Sequence, residues 1–439
     1  MSVQCYLSGT TAVKIAASAE LALSGGKIAG GDRLPAVRTL AAELVVSPAT
    51  VAAAYRILQE RGIAVADGRR GTIIRHASPS APPAPALLPA HVRDLASGNP
   101  SADLLPDLHP FLAKLDGTPR LYRDELNDAA LVAAAKKQFA SDDVPSGHVA
   151  IVSGALDGIE RVLREQLRPG DRVLVEDPCF TGVSDLLHAL SLIPVPVAID
   201  DEGLFPSALQ SAPKAEAIIV TPRAQNPIGA TFSTRRAKEL RALLRQRPDI
   251  LLIEDDHAGP IAGAPYITLA EKSRRRWAVV RSMSKSLGPD LRVAIMTGDA
   301  QTVARLEGRQ SLGIRWVSHI SQGLVARLLA DARVRKLLAR AERTYARRRE
   351  ALIHALKSHA IEAHGASGLN VWIPMAEESA VVQGLFQRGW AVTAGERYRI
   401  KSPPGIRVTT ASLEPDDAVR FAADLAEVLR PARRSAAGA

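Results

Sequence analysis

Lys285 lies in the stretch Arg281-Ser282-Met283-Ser284-Lys285-Ser286-Leu287-Gly288-Pro289-Asp290-Leu291-Arg292, just after the apolar run Trp277-Ala278-Val279-Val280. The run reads as a buried strand, so the lysine emerges near a strand's end, where α/β folds place ligands. Ser282 and Ser284 before the amine and Arg292 after it could hold a phosphate while the amine forms an imine with an aldehyde. These are the groups that a pyridoxal phosphate (PLP) site needs. Taken alone, the stretch fits a solvated loop as well, because short motifs of this kind arise by chance.

Four further stretches carry compatible chemistry. Val152-Ser153-Gly154-Ala155-Leu156-Asp157-Gly158 is a small-residue turn opening a helix, whose backbone N–H groups can cradle a phosphate; a plain glycine turn is the simpler alternative. Phe180, in Glu176-Asp177-Pro178-Cys179-Phe180, could stack on a pyridine ring or belong to the core. Thr221-Pro222-Arg223-Ala224-Gln225-Asn226-Pro227-Ile228-Gly229 offers an amide for the ring's phenolic oxygen. In Glu254-Asp255-Asp256-His257, following Ile250–Ile253, one carboxylate could pair with the pyridinium nitrogen and keep it protonated. The alternatives there are a metal or surface pair for Asp255 and Asp256, and a structural role for His257.

These loops need a scaffold that brings strand ends together. Apolar runs at Arg172–Glu176, Ala217–Val220 and Ile250–Ile253 alternate with helical patterns at Gly158–Leu167 and Thr234–Arg245, which predicts a mainly parallel sheet covered on both faces. From about Leu306 the pattern changes to long basic helices, including Arg333–Arg349, and then to short runs at Val371–Ile373 and Ile406–Val408, suiting a smaller α+β subdomain. Arg347-Arg348-Arg349 reads as a solvated helix face.

The amino-terminal part has a different pattern. Ala12 to Ser24 reads as a helix stopped at Gly25-Gly26. Ala36–Leu44 reads as a short amphipathic helix, and Ser47-Pro48 opens a second helix, through Leu58, with a hydroxyl cap and proline in its first turn. Ile63–Ala66 and Thr72–Arg75, joined by Asp67-Gly68-Arg69-Arg70-Gly71, read as a hairpin wing. A helix-turn-helix with a basic wing is a DNA-binding pattern. Residues 1–76 hold nine Lys/Arg against five Asp/Glu, a net +4. Ser47 and Thr50 would approach bases or phosphates, while Arg38, Arg69 and Arg70, with the turn at Gly71, would meet the backbone or minor groove.

Ser78 to Pro89 is Pro- and Ala-rich, the composition of a semi-rigid linker. The expected domains are therefore residues 1–76, a linker at 77–92, and a large domain at 93–439. A length of 439 residues suits two or three domains, and 46% apolar residues with 4% aromatics predict an aliphatic core. The net charge of +10 favours an anionic partner. Cys5 and Cys179 make no disulfide framework or metal cluster, and neither a signal-peptide pattern nor a membrane-spanning run is present. A cytoplasmic protein with no membrane association is expected.

Gly31-Asp32-Arg33-Leu34-Pro35-Ala36-Val37-Arg38-Thr39-Leu40-Ala41, with Val46-Ser47-Pro48-Ala49-Thr50-Val51 and Ala54-Tyr55, resembles the winged helix of GntR-type regulators. That family usually has arginine or asparagine after the serine; Pro48 has no side-chain donor there. Across roughly 93–432 the motifs around Ala96–Pro100, Glu176–Phe180, Thr221–Gly229, Asp255–His257 and Ser282–Arg292 resemble fold-type I aminotransferases. The fusion resembles the MocR subfamily of GntR regulators. The resemblance implies that Lys285 is the Schiff-base lysine, Asp255 the partner of the ring nitrogen and Asn226 a partner of the ring oxygen. It also implies that Phe180 is the stacking ring and that Ser153, Gly154, Ala155, Ser282 and Arg292 form the phosphate cup. Tyr122 would reach that cup from a second subunit of a homodimer, and Arg407 matches the arginine that grips a substrate carboxylate. Two departures stand out: His257 replaces the usual tyrosine, and the stretch Tyr122–Leu126 lacks the common glycine and Leu-Arg pattern. They direct the reading towards a PLP-sensing DNA-binding regulator with PLP as effector, ahead of a working aminotransferase carrying a DNA-binding module or a DNA-binding protein whose large domain only dimerises, with a vestigial site.

Overall fold

In the computed structural model, residues 3–25, 27–29, 31–60, 63–66, 71–74, 88–122 and 124–430 are described. The chain divides into two units, the first built on Met1–Ala86 and the second on most of the chain from Leu87 onward.

Helix Ala12–Ser24 starts where Thr11 Oγ1 accepts from the Lys14 N–H and stops at Gly25. Val37–Glu43 and Pro48–Glu60 form the expected pair of helices. Ser47 Oγ accepts from the Thr50 N–H at 3.1 Å, one of the donors that a helix start leaves open. Ile15, Ala19, Leu40, Val51, Ala54, Leu58 and Ile74 meet in one core, and Tyr55 Oη donates to the Pro35 carbonyl at 2.7 Å. Truncating a side chain such as Leu58 in this small core would cost about 2–5 kcal/mol, enough to disorder helix Pro48–Glu60. Strands Ala64–Ala66 and Thr72–Ile74 pair antiparallel as the wing's stem. The turn bearing Arg69 and Arg70 lies outside the described residues; Gly71, at φ +95°, begins the returning strand in a conformation that favours glycine.

The second unit carries an eight-stranded sheet. Its order is His148–Val152, Ala294–Gly298, Trp277–Ser282, Leu251–Asp256, Ala217–Val220, Arg172–Asp177, Ile193–Asp200 and Gly203–Leu204. Trp277–Ser282, Leu251–Asp256, Ala217–Val220 and Arg172–Asp177 pair in parallel; Ala294–Gly298 runs antiparallel to both its neighbours. The strands Leu251–Asp256 and Trp277–Ser282 are buried along their whole length, as a sheet covered on both faces requires. Asp255 and Asp256 therefore lie within a strand, not after one as the pattern at 250–253 suggested. Backbone pairing to Trp277–Ser282, with Val279 opposite Glu254, Val280 opposite Asp255 and Arg281 opposite Asp256, carries the strand three residues further than its apolar run.

Helix Ala332–Ser358 contributes Val334, Leu338 and Tyr345 to the main core, and Leu352 and Leu356 to a second core with Val371, Ile406, Trp390 and Phe421. The second core belongs to an α+β subdomain whose strands Asn370–Pro374 and Thr393–Ala394 both pair antiparallel with Gly405–Thr409. The arginine triplet does not form the expected solvated face. Arg347 is exposed, whereas Arg348 and Arg349 are buried, with Arg348 bonded to the Ala411 carbonyl and Glu414 and Arg349 Nη1 donating to the Gly368 carbonyl at 2.9 Å. Three successive residues turn through most of a helical circle, so they cannot share one face.

Candidate functional site

Most of the residues singled out for the cofactor converge on one cavity of about 250 Å³ at the carboxyl ends of the parallel strands. Lys285 reaches it from the one-turn helix Ser284–Leu287, and its Nζ donates to the Gly98 carbonyl at 2.5 Å. Burial, with the Arg407 charge adding to it, pushes the Lys285 amine down to about 8. A buried amine of this kind is readily deprotonated into a nucleophile.

The two neighbouring carboxylates have opposite fates. Successive residues of a strand face opposite sides of the sheet. Asp256, 0% exposed, receives Arg223 Nε and Nη2 at 2.9 Å each and Arg281 Nε at 2.5 Å. Burial opposes its charge, but Arg281 and Arg223 hold the carboxyl well below the usual range. Asp255, 4% exposed, lines the cavity, and its Oδ1 is buried without a hydrogen-bond partner. Burial first, then the Asp256 charge, raises its carboxyl to about 7. A buried acceptor without a donor is costly, and a cationic ring N–H would satisfy it.

Helix Ala155–Gln166 opens on Gly154, with no side chain capping its first turn, and Ala155 and Leu156 line the cavity. Free N–H groups at a helix start favour an anion. Gly154, at φ +110°, lets Arg292 come close, since a Cβ there would stand 2.9 Å from Nη2. Arg292 lines the cavity and donates to the Ser153 carbonyl at 3.2 Å. Ser153 spends its own N–H on Asp157 Oδ2 at 3.0 Å, so this donor of the expected cup is already used within the protein. Ser282 and Ser284 line the wall, where the Ser284 N–H donates to Ser282 Oγ at 3.2 Å. Phe180, Asn226, His257 and Arg407 complete the set. Arg407 Nη1 donates to Asn226 Oδ1 at 3.4 Å, its Nη2 bonds the Ala96 carbonyl, and the guanidinium lies 5.1 Å over the Tyr398 ring. His257 Nε2 stands 2.7 Å from the Ala224 carbonyl.

Tyr122 is not brought into this cavity. It is 77% exposed, 5.8 Å from the Trp316 ring and 5.0 Å beneath Arg315. Several participants were missed in the sequence: Gly98 and Asn370 line the cavity, and Arg223 and Arg281 separate the roles of the two aspartates. A signal for the arginines existed, since two carboxylates ending an apolar run need buried cationic partners. Gly98 lay in the Ala96–Pro100 motif without a role of its own, and nothing local marked Asn370. Among the described residues, no group of His, Cys, Asp and Glu could hold a metal ion.

In the amino-terminal unit, Arg38 and Ser47 are exposed and Thr50 is half-buried. The Ser47 and Thr50 hydroxyls bond one another at 2.8 Å, so both are partly committed to the helix start.

Residues 90–425 match the model for aminotransferase class I and II, and residues 11–74 match that for bacterial regulatory proteins of the gntR family. Over 434 residues the chain is 38% identical to the vitamin B6 salvage pathway transcriptional repressor PtsJ of Salmonella typhimurium, covering 96% of this chain and 99% of that protein. The chain belongs to the MocR-type gntR regulators. A further relative, the HTH-type transcriptional regulator TauR of Rhodobacter capsulatus, is 28% identical over 394 residues, 78% of this chain and 79% of its own length. Among solved structures, Pyrococcus horikoshii kynurenine aminotransferase shares the fold of the large domain, with a TM-score of 0.70 at 20% identity over 77% of this chain and 91% of that one. The family's aminotransferase-like domain is a PLP domain. The unpartnered Asp255 oxygen, the amine of Lys285 and the open helix start beside Arg292 fit that cofactor.

Proposed function

We propose that this chain is a PLP-responsive transcription regulator of vitamin B6 salvage or metabolism, acting in the cytoplasm as a homodimer on operator DNA. The observation that carries the reading is the joining of a gntR winged helix to a cavity with a buried lysine and an unpartnered buried aspartate, in a chain similar to PtsJ nearly end to end. Bound PLP supplies an aldehyde able to join an amine and a pyridinium ring able to withdraw electrons. Lys285 would hold the aldehyde end covalently, Asp255 the ring nitrogen and Asn226 the ring oxygen, with Phe180 against the ring face. Ala155, Ser282, Ser284 and Arg292 would hold the phosphate, with Gly154 admitting Arg292 and Ser153 bracing it. Arg407 would take the carboxylate of an effector.

PLP acts as an effector only if it binds the DNA-competent and DNA-incompetent states with different affinity. The test is binding of DNA flanking the protein's own gene, with and without PLP; equal affinity in both would sink the proposal. The second reading, an aminotransferase with an attached DNA module, is favoured by Arg407 at the cavity wall. Rapid conversion of bound PLP to its amine form by ordinary amino acids would establish it.

The working boundaries are 1–76 for the DNA module, 77–92 for the linker and 93–439 for the PLP domain. Arg38, Arg69, Arg70 and the Ser47–Thr50 helix start are proposed to meet DNA, with Gly71 shaping the wing. Removing Arg69 or Arg70 is expected to lower the slope of log affinity against log salt by about 0.9 per lost phosphate contact. An unchanged slope would remove the wing from the interface. Homodimerisation is supported by exposed apolar side chains at Tyr122, Ile314 and Ile320, which line a broad open cavity around Trp316, and by the exposed Leu121 and Leu312 close to them in the chain. Tyr122 would extend from this patch to the partner's cofactor site. Sedimentation at micromolar concentration should give a dimer, and a monomer would contradict it. Among the described residues no single helix is long and apolar enough to cross a membrane.

A further inference from the structure

His257 and Asn226 both line the cavity, and the hydrogen bonds they already make fix what each has left to offer. The Ala224 carbonyl, 2.7 Å from His257 Nε2, can only accept, so Nε2 carries the ring proton. Burial and the neighbouring Lys285 charge both disfavour a second proton on the imidazole. Nδ1 is therefore a bare lone pair, an acceptor. Asn226 is oriented in the opposite sense: its Oδ1 accepts from Arg407 Nη1 at 3.4 Å, which leaves the NH2 end as a donor.

We infer that Asn226 and His257 act as a donor–acceptor pair that holds the ring oxygen of bound PLP as a neutral hydroxyl. A hydroxyl can accept from Asn226 and donate to His257 at once; an oxyanion can only accept, and would face the Nδ1 lone pair at a cost. A tyrosine hydroxyl, the group that the resemblance to the enzymes leads one to expect at position 257, can donate and so tolerates the oxyanion. The exchange of tyrosine for histidine thus changes which protonation state the site selects. A ring that keeps its hydroxyl proton is a weaker electron sink when joined to Lys285 than one whose proton has moved to the linking nitrogen. This property suits a ligand held for sensing better than one held for turnover.

The inference rests on the PLP-binding reading above, and one experiment separates the two. The full-length protein is equilibrated with PLP at neutral pH and freed of excess. Bound PLP is counted after release by alkali, and the absorption spectrum is recorded. A neutral ring hydroxyl on covalently held PLP absorbs in the near ultraviolet, whereas the oxyanion form absorbs in the visible. The wild type is expected to show the near-ultraviolet band as the larger. His257→Tyr is expected to move the absorption to the visible band at the same PLP content. PLP retained by the wild type with the visible band dominant would overturn the inference and leave PLP binding intact, whereas no retained PLP would overturn the underlying reading. If His257→Tyr does not fold, the wild-type spectrum alone decides.

Discussion

Lys285→Ala is expected to abolish covalent retention of PLP and, with it, any effect of PLP on DNA affinity, while binding of the PLP-free protein to DNA stays within experimental scatter. The amine is the one group at the cavity able to join an aldehyde among the wall residues Ser282, Ser284, Asp255, His257 and Lys285. Asp255 and Arg292 remain in the variant, so weak, reversible PLP binding should survive. Reduction with borohydride followed by mass measurement distinguishes the two modes: a stable adduct on the wild type and none on the variant. PLP-dependent DNA binding that persists in Lys285→Ala would show that the lysine is dispensable to the signal. The same amine sets a pH dependence. Its proton is lost near pH 8 instead of at the ordinary 10.5, so covalent loading of the wild type should rise through about pH 8. The linkage has a definite sign: between about 8 and 10.5 the unfolded chain binds the proton that the folded protein has released, so the PLP-free protein gains stability with rising pH across that window.

Asp256→Ala should destabilise the large domain by about 3–5 kcal/mol, because it leaves buried cations without their partner. Arg223 loses both of its bonds to the carboxylate, and Arg281 keeps only Asp142 at 2.6 Å. Arg281 is also packed 5.1 Å from the rings of Phe139 and Tyr266, so it cannot simply turn out to solvent. Urea denaturation followed by fluorescence measures the loss. A change below about 1 kcal/mol, the range of an exposed ion pair, would show that water reaches these arginines. Asp255→Ala removes an acceptor that has no partner at Oδ1, so the PLP-free form should be far less affected while PLP affinity falls. Opposite outcomes for adjacent residues separate a structural carboxylate from a ligand-binding one.

Local pattern was enough for much of the fold. Ala12–Ser24, Ala217–Val220 and Thr234–Arg245 appear with the bounds that capping and periodicity predict, because each signal is contained within its own few residues. The helix-turn-helix, the hairpin stem and the succession of strand and helix were legible for the same reason, and so was the lysine following a buried strand. Tertiary structure decided what depends on distant partners. Which aspartate faces the cavity follows from strand alternation together with arginines at 223 and 281, far apart in sequence. The burial of Arg348 and Arg349 follows from the meeting of their helix with Gly368, Ala411 and Glu414. The sequence by itself determined that this chain pairs a DNA-reading module with a lysine-centred phosphate-cofactor site, since residue type and spacing carry that chemistry. Only the tertiary structure decided that Asp255 is left unpaired while Asp256 is neutralised, and that His257 offers a lone pair, because charge and hydrogen-bond polarity are set by the atoms that folding brings within about 3 Å.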